Sequence, residues 1–497
     1  MEKQYDHVVI GSGISGMTMS LILGLLGKRV LLLEKAAYMG GSMRRFHHEG
    51  IPYDVGFHFT GGLHEKGVLS DMLRVLGIWE SVEPRFLDSD HAFRFVVDGK
   101  FYDFPVEKEQ IQNKLKGYFP QQTSAIERYF QLVDEVCDKT DNMDLRHLGT
   151  LGHSQSYDFV SLKRVLDDLT DCAELKTLLS GYCMCHGTRP NEISFANHAR
   201  ICRDLYLSIA RIKLGGDAFV KAFEEAFSRV SVDVVCNTTI AECLDIDRAR
   251  VGRLLLTNGD EVTFESCIFA IHPKQVLDLL PREKLRKALI HRVEDFQSSC
   301  SFFAVFGIRA GENPDRSDSI MGLFSSMDMD AMLDYERPDD IAILLLPTEE
   351  MVKGRNVRIF TALEPSFAEA TAAWADSKTT KREAAYYNYK EQKTRRIEQY
   401  LKDYFGTKGE TFEIKTSSSM LTYRDYLHSP DGSAYGIKQL IGQFNLFGRL
   451  PLRNTYAIGQ SALLPGIVGA MMSAFIVARS VEDKAKIDAL IARSLSL

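Results

Sequence analysis

The first hydrophobic pattern along the chain is a short apolar run followed by a longer one. Residues 8–10 are Val-Val-Ile, residues 14–26 are small and apolar over a helical length, and residues 29–33 form a second short apolar run. Short continuous apolar runs are typical of parallel strands that helices cover on both faces. The start of the chain therefore predicts a strand–helix–strand unit.

The periodicity changes further along the chain. Residues 92–104 read as a hairpin around Asp98-Gly99, a pair typical of a tight turn. Apolar residues recur at helical spacing within residues 107–180, and further helices are predicted over 218–227 and 381–405. Further strands are predicted at residues 232–236, 251–256, 267–271, 341–346 and 358–362. The pattern as a whole predicts an α/β protein with an added α+β part.

The last long apolar segment, residues 456–478, carries no charge and reaches the length of a membrane span. It contains Gly459, Pro465, Gly466 and Gly469. Membranes tolerate glycine and proline, so a span stays an alternative. We favour a strand, a turn and a buried helix.

A glycine pattern lies at the first strand–helix junction. Gly11, Gly13 and Gly16 have the G-x-G-x-x-G spacing, with Ser12 and Ser15 between them. In this pattern the first glycine allows a tight turn, the second lets a pyrophosphate approach the backbone, and the third lets the helix pack on the strand. The helix start also offers free N–H groups to an anion. The pattern predicts a dinucleotide site.

An acidic residue after the second strand narrows the choice of dinucleotide. Glu34, followed by Lys35, is placed to accept hydrogen bonds from ribose hydroxyls and to repel a 2′-phosphate. FAD or NAD is therefore favoured over NADP. The segment Gly40-Gly41-Ser42 then favours FAD, because flavoproteins place a second glycine pair against the pyrophosphate. Residues 54–58 also favour FAD, because they resemble the segment that passes the flavin ring.

The composition excludes some classes of partner. The chain has 497 residues, of which 45% are hydrophobic and 26% charged, so two or three domains are expected. The net charge of −7 argues against a nucleic-acid partner and against strong electrostatic docking to anionic lipid.

The cysteines give no sign of a disulfide framework. There are nine, scattered along a chain without a secretory leader, which predicts a reducing, cytoplasmic location. Cys183, Cys185 and His186 form the one cluster. A metal site there needs a second pair of ligands, and none stands out, so no metal is predicted and the cluster is interpreted as part of a buried helix.

Three further segments are more specific than the glycine pattern. They are residues 54–58 (Asp-Val-Gly-Phe-His), residues 429–436 (Ser-Pro-Asp-Gly-Ser-Ala-Tyr-Gly), and Gly459-Gln460 with residues 466–470 (Gly-Ile-Val-Gly-Ala). With these segments the chain resembles the phytoene desaturase-like FAD oxidoreductases, within them the retinol saturase and carotenoid isomerase branch. It departs from that family in having Ser42 in place of an arginine and in lacking a proline before Gly215.

The resemblance implies a fold and a division of the chain. The expected fold is a Rossmann-type, glutathione-reductase-like FAD-binding domain with an inserted α+β substrate domain. The FAD-binding domain takes residues 1–75, 205–285 and 420–497, and the substrate-binding domain takes residues 76–204 and 286–419.

The resemblance also implies site residues. Beyond Gly11, Ser12, Gly13, Ser15, Gly16, Glu34 and Lys35, the expected FAD-binding residues are Gly41, Ser42, Gly56, Ile240, Gly459, Gln460, Gly466, Ile467 and Val468. His58 and Tyr435 are the catalytic candidates, since a histidine with a pKa of about 6.5 can donate a proton at neutral pH. Packing near the cofactor is an equal alternative for both.

The implied activity is that of an oxidoreductase acting on carbon–carbon double bonds of a small lipophilic polyene, retinoid- or carotenoid-like. A saturase is favoured, and a desaturase or a cis–trans isomerase using reduced FAD is the close alternative. An amine oxidase or a flavin-binding escort protein is a more distant alternative. A single dinucleotide pattern leaves the electron donor or acceptor unknown, and a lipophilic substrate leaves peripheral membrane contact open.

Overall fold

A computed structural model describes residues 2–140, 143–148, 155–247, 249–311, 318–379, 381–406, 409–443 and 445–496. Two large sheets organise the described part of the chain. One has six strands and one has seven, and separate hydrophobic cores lie on the two faces of each.

The six-stranded sheet contains the predicted strand–helix–strand unit. Its strand order is Val232–Val235, Val30–Leu33, His7–Ile10, Ser266–Phe269, Thr455–Ala457 and Gly448–Arg449, with the last strand antiparallel to the others. Val9 and Leu32 point into one core, and Val8 and Leu31 into another. Both faces are buried, which explains the unbroken apolar runs.

Helices and a small sheet cover the two faces. One face carries the helices Ile14–Leu25, Val68–Val75, Gly216–Phe227, Gly466–Val481 and Lys484–Leu495. The other carries helices Pro273–Leu279 and Lys287–Glu294 and a four-stranded sheet ordered Glu2–Gln4, Glu261–Thr263, Arg253–Leu256 and Ile240–Leu244.

The seven-stranded sheet forms the second part of the molecule. Its order is Glu410–Ser418, Ser301–Gly311, Arg355–Ser366, Ala342–Val352, Ile320–Phe324, Phe93–Val97 and Lys100–Phe104. Only the pair Ile320–Phe324 and Phe93–Val97 is parallel among its described strands. Helix Ala384–Phe405 covers one face. The other face packs on the helices Lys108–Tyr118, Thr123–Cys137, Leu162–Leu169, Ala173–Ser180 and Phe195–Leu207.

Smaller elements complete the described part of the chain. Two ribbons pair Arg45–His48 with Ile51–Asp54 and Pro84–Phe86 with Ala210–Ile212, and two further helices are Met329–Met332 and Met420–Leu427. All strands of the six-stranded sheet lie in the chain segments assigned to cofactor binding, and all strands of the seven-stranded sheet lie in the other two segments. The exact domain boundaries stay a prediction.

The predicted α/β class, with a Rossmann-type unit and an α+β part, is confirmed. The hairpin at 98–99 is present, with φ of 49° at Asp98 and 73° at Gly99. Residues 456–478 form the end of a strand, a turn and most of helix Gly466–Val481. Across the described ranges, no helix has the length and apolar character that crossing a membrane requires.

Two predicted strands are present but longer than predicted. The strands expected at 341–346 and 358–362 extend to Ala342–Val352 and Arg355–Ser366. Their paired outer parts carry residues such as Glu349, Glu350 and Arg355, so the apolar signal stops before the strands do. The cysteine cluster lies in and just after a short buried 3₁₀ helix, Gly181–Cys185.

Candidate active site

The first glycine loop builds an open cradle between strand His7–Ile10 and helix Ile14–Leu25. Gly11 has a φ of 94°, and a Cβ on Gly16 would lie 1.9 Å from the Gly11 carbonyl oxygen. Both glycines are therefore required by the backbone. A Cβ on Gly13 would meet no atom of the described residues within 4 Å, and one on Gly41 would lie 3.3 Å from the Gly13 Cα. The space beside Gly13 is free for a ligand.

Glu34 is held at the carboxyl end of strand Val30–Leu33. Its Oε2 accepts hydrogen bonds from the Ser12 backbone N–H at 2.9 Å and the Ser12 hydroxyl at 2.5 Å, and its Oε1 accepts one from the Ala36 N–H at 2.7 Å. These bonds fix the carboxylate at the cavity wall, where it can accept further hydrogen bonds from ligand hydroxyls.

Two helix N-termini meet at the same place. Helix Ile14–Leu25 begins after Gly13 and helix Gly466–Val481 begins after Pro465, and neither has a side-chain cap. Their first backbone N–H groups and the positive ends of their dipoles favour an anionic group. A Cβ on Gly459 would lie 3.3 Å from the Ser15 hydroxyl, so the two ends of the chain adjoin here.

One cavity of 810 Å³ extends from this cradle to the seven-stranded sheet. Most of the predicted site residues line it. They are Gly11, Ser12, Gly13, Ser15, Glu34, Lys35, Gly41, Ser42, Gly56, His58, Tyr435, Gly459, Gln460, Gly466 and Ile467. Segments that are far apart in the chain therefore line one cavity.

Three predicted cofactor residues do not line the cavity. Gly16 lies behind the loop, against the Gly11 carbonyl. Ile240 is 3% exposed and paired with Leu256, while its neighbour Thr239 reaches the cavity. Val468 is partly buried against the core beneath helix Gly466–Val481. The side chains of Ile240 and Val468 point away from the cavity, because adjacent residues of a strand or a helix face different directions.

His58 lies half-buried in the cavity wall. Desolvation, and then the positive charge of Arg211, lower the pKa of its imidazole to about 4. The premise that this ring has an ordinary pKa was wrong, and at neutral pH the ring is neutral. A catalytic role for His58 stays a prediction.

Tyr435 presents its ring to the cavity but points its hydroxyl elsewhere. The hydroxyl donates a hydrogen bond to the Met184 carbonyl at 3.0 Å, and the ring makes an edge contact with Phe302 at 6.1 Å. Burial raises the pKa of this phenol well above its usual value. The geometry gives Tyr435 a wall-forming position, and a proton-transfer role stays a prediction.

Sequence reasoning missed a charged group at the cavity wall. The Arg45 side chain is 3% exposed, with Nε 3.1 Å from Asp54 Oδ1 and one terminal nitrogen 2.5 Å from Glu350 Oε1. Desolvation, opposed by Arg45, raises the pKa of Asp54 to about 7. Asp54 belongs to the recognised 54–58 segment, but Glu350 comes from the distant outer hairpin, which no local pattern connects to it.

The sequence analysis also did not identify Phe46, Phe302, Phe306 and Leu363 as part of an apolar wall. On the side of the seven-stranded sheet the cavity is lined by the apolar or aromatic residues Phe46, Phe302, Phe306, Leu363 and Tyr423. The rings of Phe46 and Phe306 make an edge contact at 4.9 Å. Tyr426 also lines the cavity.

Comparison with known proteins agrees with this architecture. Residues 9–76 match the family model described as an NAD(P)-binding Rossmann-like domain. The all-trans-retinol 13,14-reductases of Danio rerio and Homo sapiens are 24% and 25% identical, over 95% and 96% of this chain and 85% and 86% of theirs. The prolycopene isomerase of Daucus carota is 38% identical over 29% of this chain and 24% of its own.

Solved structures share the fold. An oxidoreductase from Methanosarcina mazei aligns with a TM-score of 0.67 and 13% identity, over 96% of this chain and all of its own. The cyclohexylamine oxidase of Brevibacterium oxydans aligns with a TM-score of 0.61 and 16% identity, over 99% of this chain and all of its own. The predicted resemblance, the fold and the assignment as an oxidoreductase are confirmed.

Proposed function

We propose that this chain, a relative of the retinol reductases among the phytoene desaturase-like FAD oxidoreductases, binds FAD and saturates a carbon–carbon double bond of a lipophilic polyene. The observation that carries the proposal is the alignment over 95% of the chain with a protein named all-trans-retinol 13,14-reductase. The substrate class is therefore retinoid- or carotenoid-like.

The residues of the cavity fit an FAD. The open space at Gly13 and the two uncapped helix N-termini suit a pyrophosphate. Glu34 is held where it can accept hydrogen bonds from ribose hydroxyls. When bound, reduced flavin supplies the hydride for saturation. Gly459, Gln460, Gly466 and Ile467 line the cavity beside the same cradle.

The side of the cavity facing the seven-stranded sheet suits a conjugated hydrocarbon. Phe46, Phe302, Phe306 and Leu363 offer apolar and aromatic contacts, and such contacts hold a polyene without specific hydrogen bonds. Phe302, Phe306 and Leu363 lie on paired strands of one sheet, so this wall is rigid. The wall would hold the double bond in a fixed orientation.

Saturation also consumes a proton, and this chain offers His58 for handling it. The neutral ring lies in the cavity wall, whereas the Tyr435 hydroxyl already donates its hydrogen to Met184. In our proposal His58 accepts a proton from solvent and passes it to the substrate carbon, and Tyr435 shapes the wall.

A cis–trans isomerase is the second candidate, because the Daucus carota prolycopene isomerase shares 38% identity over 149 residues. The resemblance to amine oxidases is below 25% identity and bears on the fold alone. The electron donor or acceptor is unassigned.

The substrate's entry route is a further part of the proposal. Tyr38 and Tyr426 line the cavity and are 54% and 63% exposed. Exposed tyrosines suit the boundary between water and lipid, so we place the cavity entrance against a membrane surface. Cosedimentation of the protein with neutral phospholipid vesicles should fall when Tyr426 is changed to Ser, and unchanged cosedimentation contradicts this placement.

The central experiment follows the flavin and the polyene together. Protein photoreduced without oxygen is mixed with all-trans-retinol or with prolycopene, and the flavin spectrum and the polyene mass are recorded. Reoxidation with a mass gain of two hydrogens supports the saturase. A polyene of unchanged mass and altered retention identifies the isomerase, and protein that binds no flavin or leaves every polyene intact contradicts the proposal.

A further inference from the structure

Two cysteines and two histidines come together outside the cavity. Cys183 and His186 lie in and just after the 3₁₀ helix Gly181–Cys185, and His198 and Cys202 lie on helix Phe195–Leu207. All four are at most 1% exposed, and none lines the cavity. This Cys183–Cys202 cluster has no part in the proposed redox reaction.

Three of the four side chains lie at distances close to those between metal ligands. His186 Nε2 lies 3.2 Å from His198 Nδ1, and Cys183 Sγ lies 4.0 Å from the same nitrogen. The ligand atoms of these three residues all lie within 4.8 Å of one another. Cys202 Sγ lies outside this group of three but close to His198, at 3.8 Å from its Nδ1 and 3.6 Å from its Nε2. Ligands around a tetrahedral zinc ion stand about 3.3–3.8 Å apart, given the usual Zn–N and Zn–S lengths, so the two cysteines would move inward on binding.

The hydrogen bonds around the two histidines are compatible with metal binding. His198 bonds to the Leu179 carbonyl, an interaction of the kind that orients histidine ligands. Nδ1 of His186 is buried without a hydrogen-bond partner among the described residues.

The spacing along the chain is that of a compact metal site. The pattern reads Cys183-x₂-His186-x₁₁-His198-x₃-Cys202, with one ligand pair on a tight turn and the other one helical turn apart. Paired ligands at these separations are typical of structural zinc sites.

We propose that Cys183, His186, His198 and Cys202 bind one zinc-type divalent cation. Binding displaces the two thiol protons to solvent, so two thiolates neutralise the ion's two positive charges and the buried complex carries no net charge. A neutral complex avoids the cost of burying an isolated charge.

The site would have a structural role at the cavity. Met184 lies between the first two ligands, and its carbonyl accepts the Tyr435 hydrogen bond at 3.0 Å. A cation would therefore fix the segment that holds Tyr435 against the cavity. The proposal is independent of the bound cofactor and of the substrate.

The test is metal analysis of the full chain, expressed with added zinc and purified without chelators. We expect about one zinc per chain in the unaltered protein. Replacing zinc with cobalt(II) should produce thiolate charge-transfer and tetrahedral ligand-field bands. Cys202→Ser and His198→Asn should lose most of the metal and these bands.

Cys267→Ser is the matched control, because Cys267 is 1% exposed and lies in the six-stranded sheet away from the cluster. It should keep metal and spectrum unchanged. Unaltered protein with neither zinc nor a tetrahedral cobalt spectrum overturns the proposal, whether or not the variants fold. Equal metal loss in Cys267→Ser and Cys202→Ser overturns it as well.

Discussion

The two sides of the central cavity are built in opposite ways. On the nucleotide side, the shape comes from a side chain that is absent: Gly13 leaves open space beside the backbone where helix Ile14–Leu25 begins. On the sheet side, the shape comes from side chains that are present, such as Phe302 and Phe306.

This difference indicates which property a substitution on each side of the cavity should affect. A side chain added to the cradle obstructs the cofactor without touching the protein, since Gly13 has no atom of the described residues within 4 Å of a Cβ position. A change behind the cradle or on the sheet side alters packing, protonation or positioning. Loss of cofactor, loss of stability and loss of turnover can therefore be separated.

The largest effect is expected for Gly13→Val. The branched side chain would occupy the space where we place the pyrophosphate, so flavin affinity should fall about 100-fold or more, which is about 2.7 kcal/mol. Flavin absorbance of the purified protein and titration with FAD measure this. Gly117→Val is the control, because its Cβ position is also open but lies on an exposed helix. Full flavin content in Gly13→Val contradicts the assigned site.

Gly16→Ala should instead destabilise the fold. Its Cβ would lie 1.9 Å from the Gly11 carbonyl oxygen, and relieving this overlap requires the helix to move from the strand. We expect a loss of about 1–3 kcal/mol in the free energy of unfolding, the usual cost of overpacking. Urea unfolding of the flavin-free protein measures it, with Gly13→Ala as the matched control. Equal stability of the two variants would show that the helix adjusts freely.

His58 should make stability depend on pH. Its pKa falls from an ordinary 6.5 to about 4 on folding, so between these values the unfolded chain binds a proton that the folded chain does not. The contribution of His58 to the free energy of unfolding is complete above pH 6.5 and is lost as the pH falls towards 4. Asp54, with a folded pKa raised to about 7, acts with the opposite sign, being destabilising as the pH rises towards 7.

The His58 contribution is isolated by comparing variants over the same pH range. His58→Asn should flatten the loss of unfolding free energy between pH 6.5 and 4, whereas His147→Asn, whose side chain is 80% exposed, should not. Parallel curves for His58→Asn and the unaltered protein would show that His58 titrates normally when folded.

The smallest effect is expected for Tyr435→Phe. The change removes the hydrogen bond to Met184 and leaves the ring in place, which should cost about 1 kcal/mol of stability. If Tyr435 only forms the wall, turnover of the polyene should change less than tenfold, about 1.4 kcal/mol in activation free energy, with an unaltered pH profile. A larger loss with a shifted profile would assign it a proton-transfer role.

Features that a short segment of the sequence encodes could be predicted, whereas contacts between distant segments could not. The glycine loop, Glu34 and the 98–99 hairpin are encoded within short segments, and each was predicted before the structure was known. The ion pair of Arg45 with Glu350 joins residues 305 positions apart, so no short pattern could suggest it. Ile240 does not line the cavity whereas the adjacent Thr239 does, because a one-residue shift reverses the direction of a side chain on an extended segment.

By itself, the sequence determined the class of fold, the dinucleotide loop and the family resemblance, because these depend on periodicity and on glycines at fixed spacing. Only the tertiary structure decided which side chains share the cavity, how burial lowers the pKa of His58, and that His198 lies beside Cys183, His186 and Cys202. The physical reason is that desolvation and ligand distances depend on contacts between elements, which the local pattern of residues does not specify.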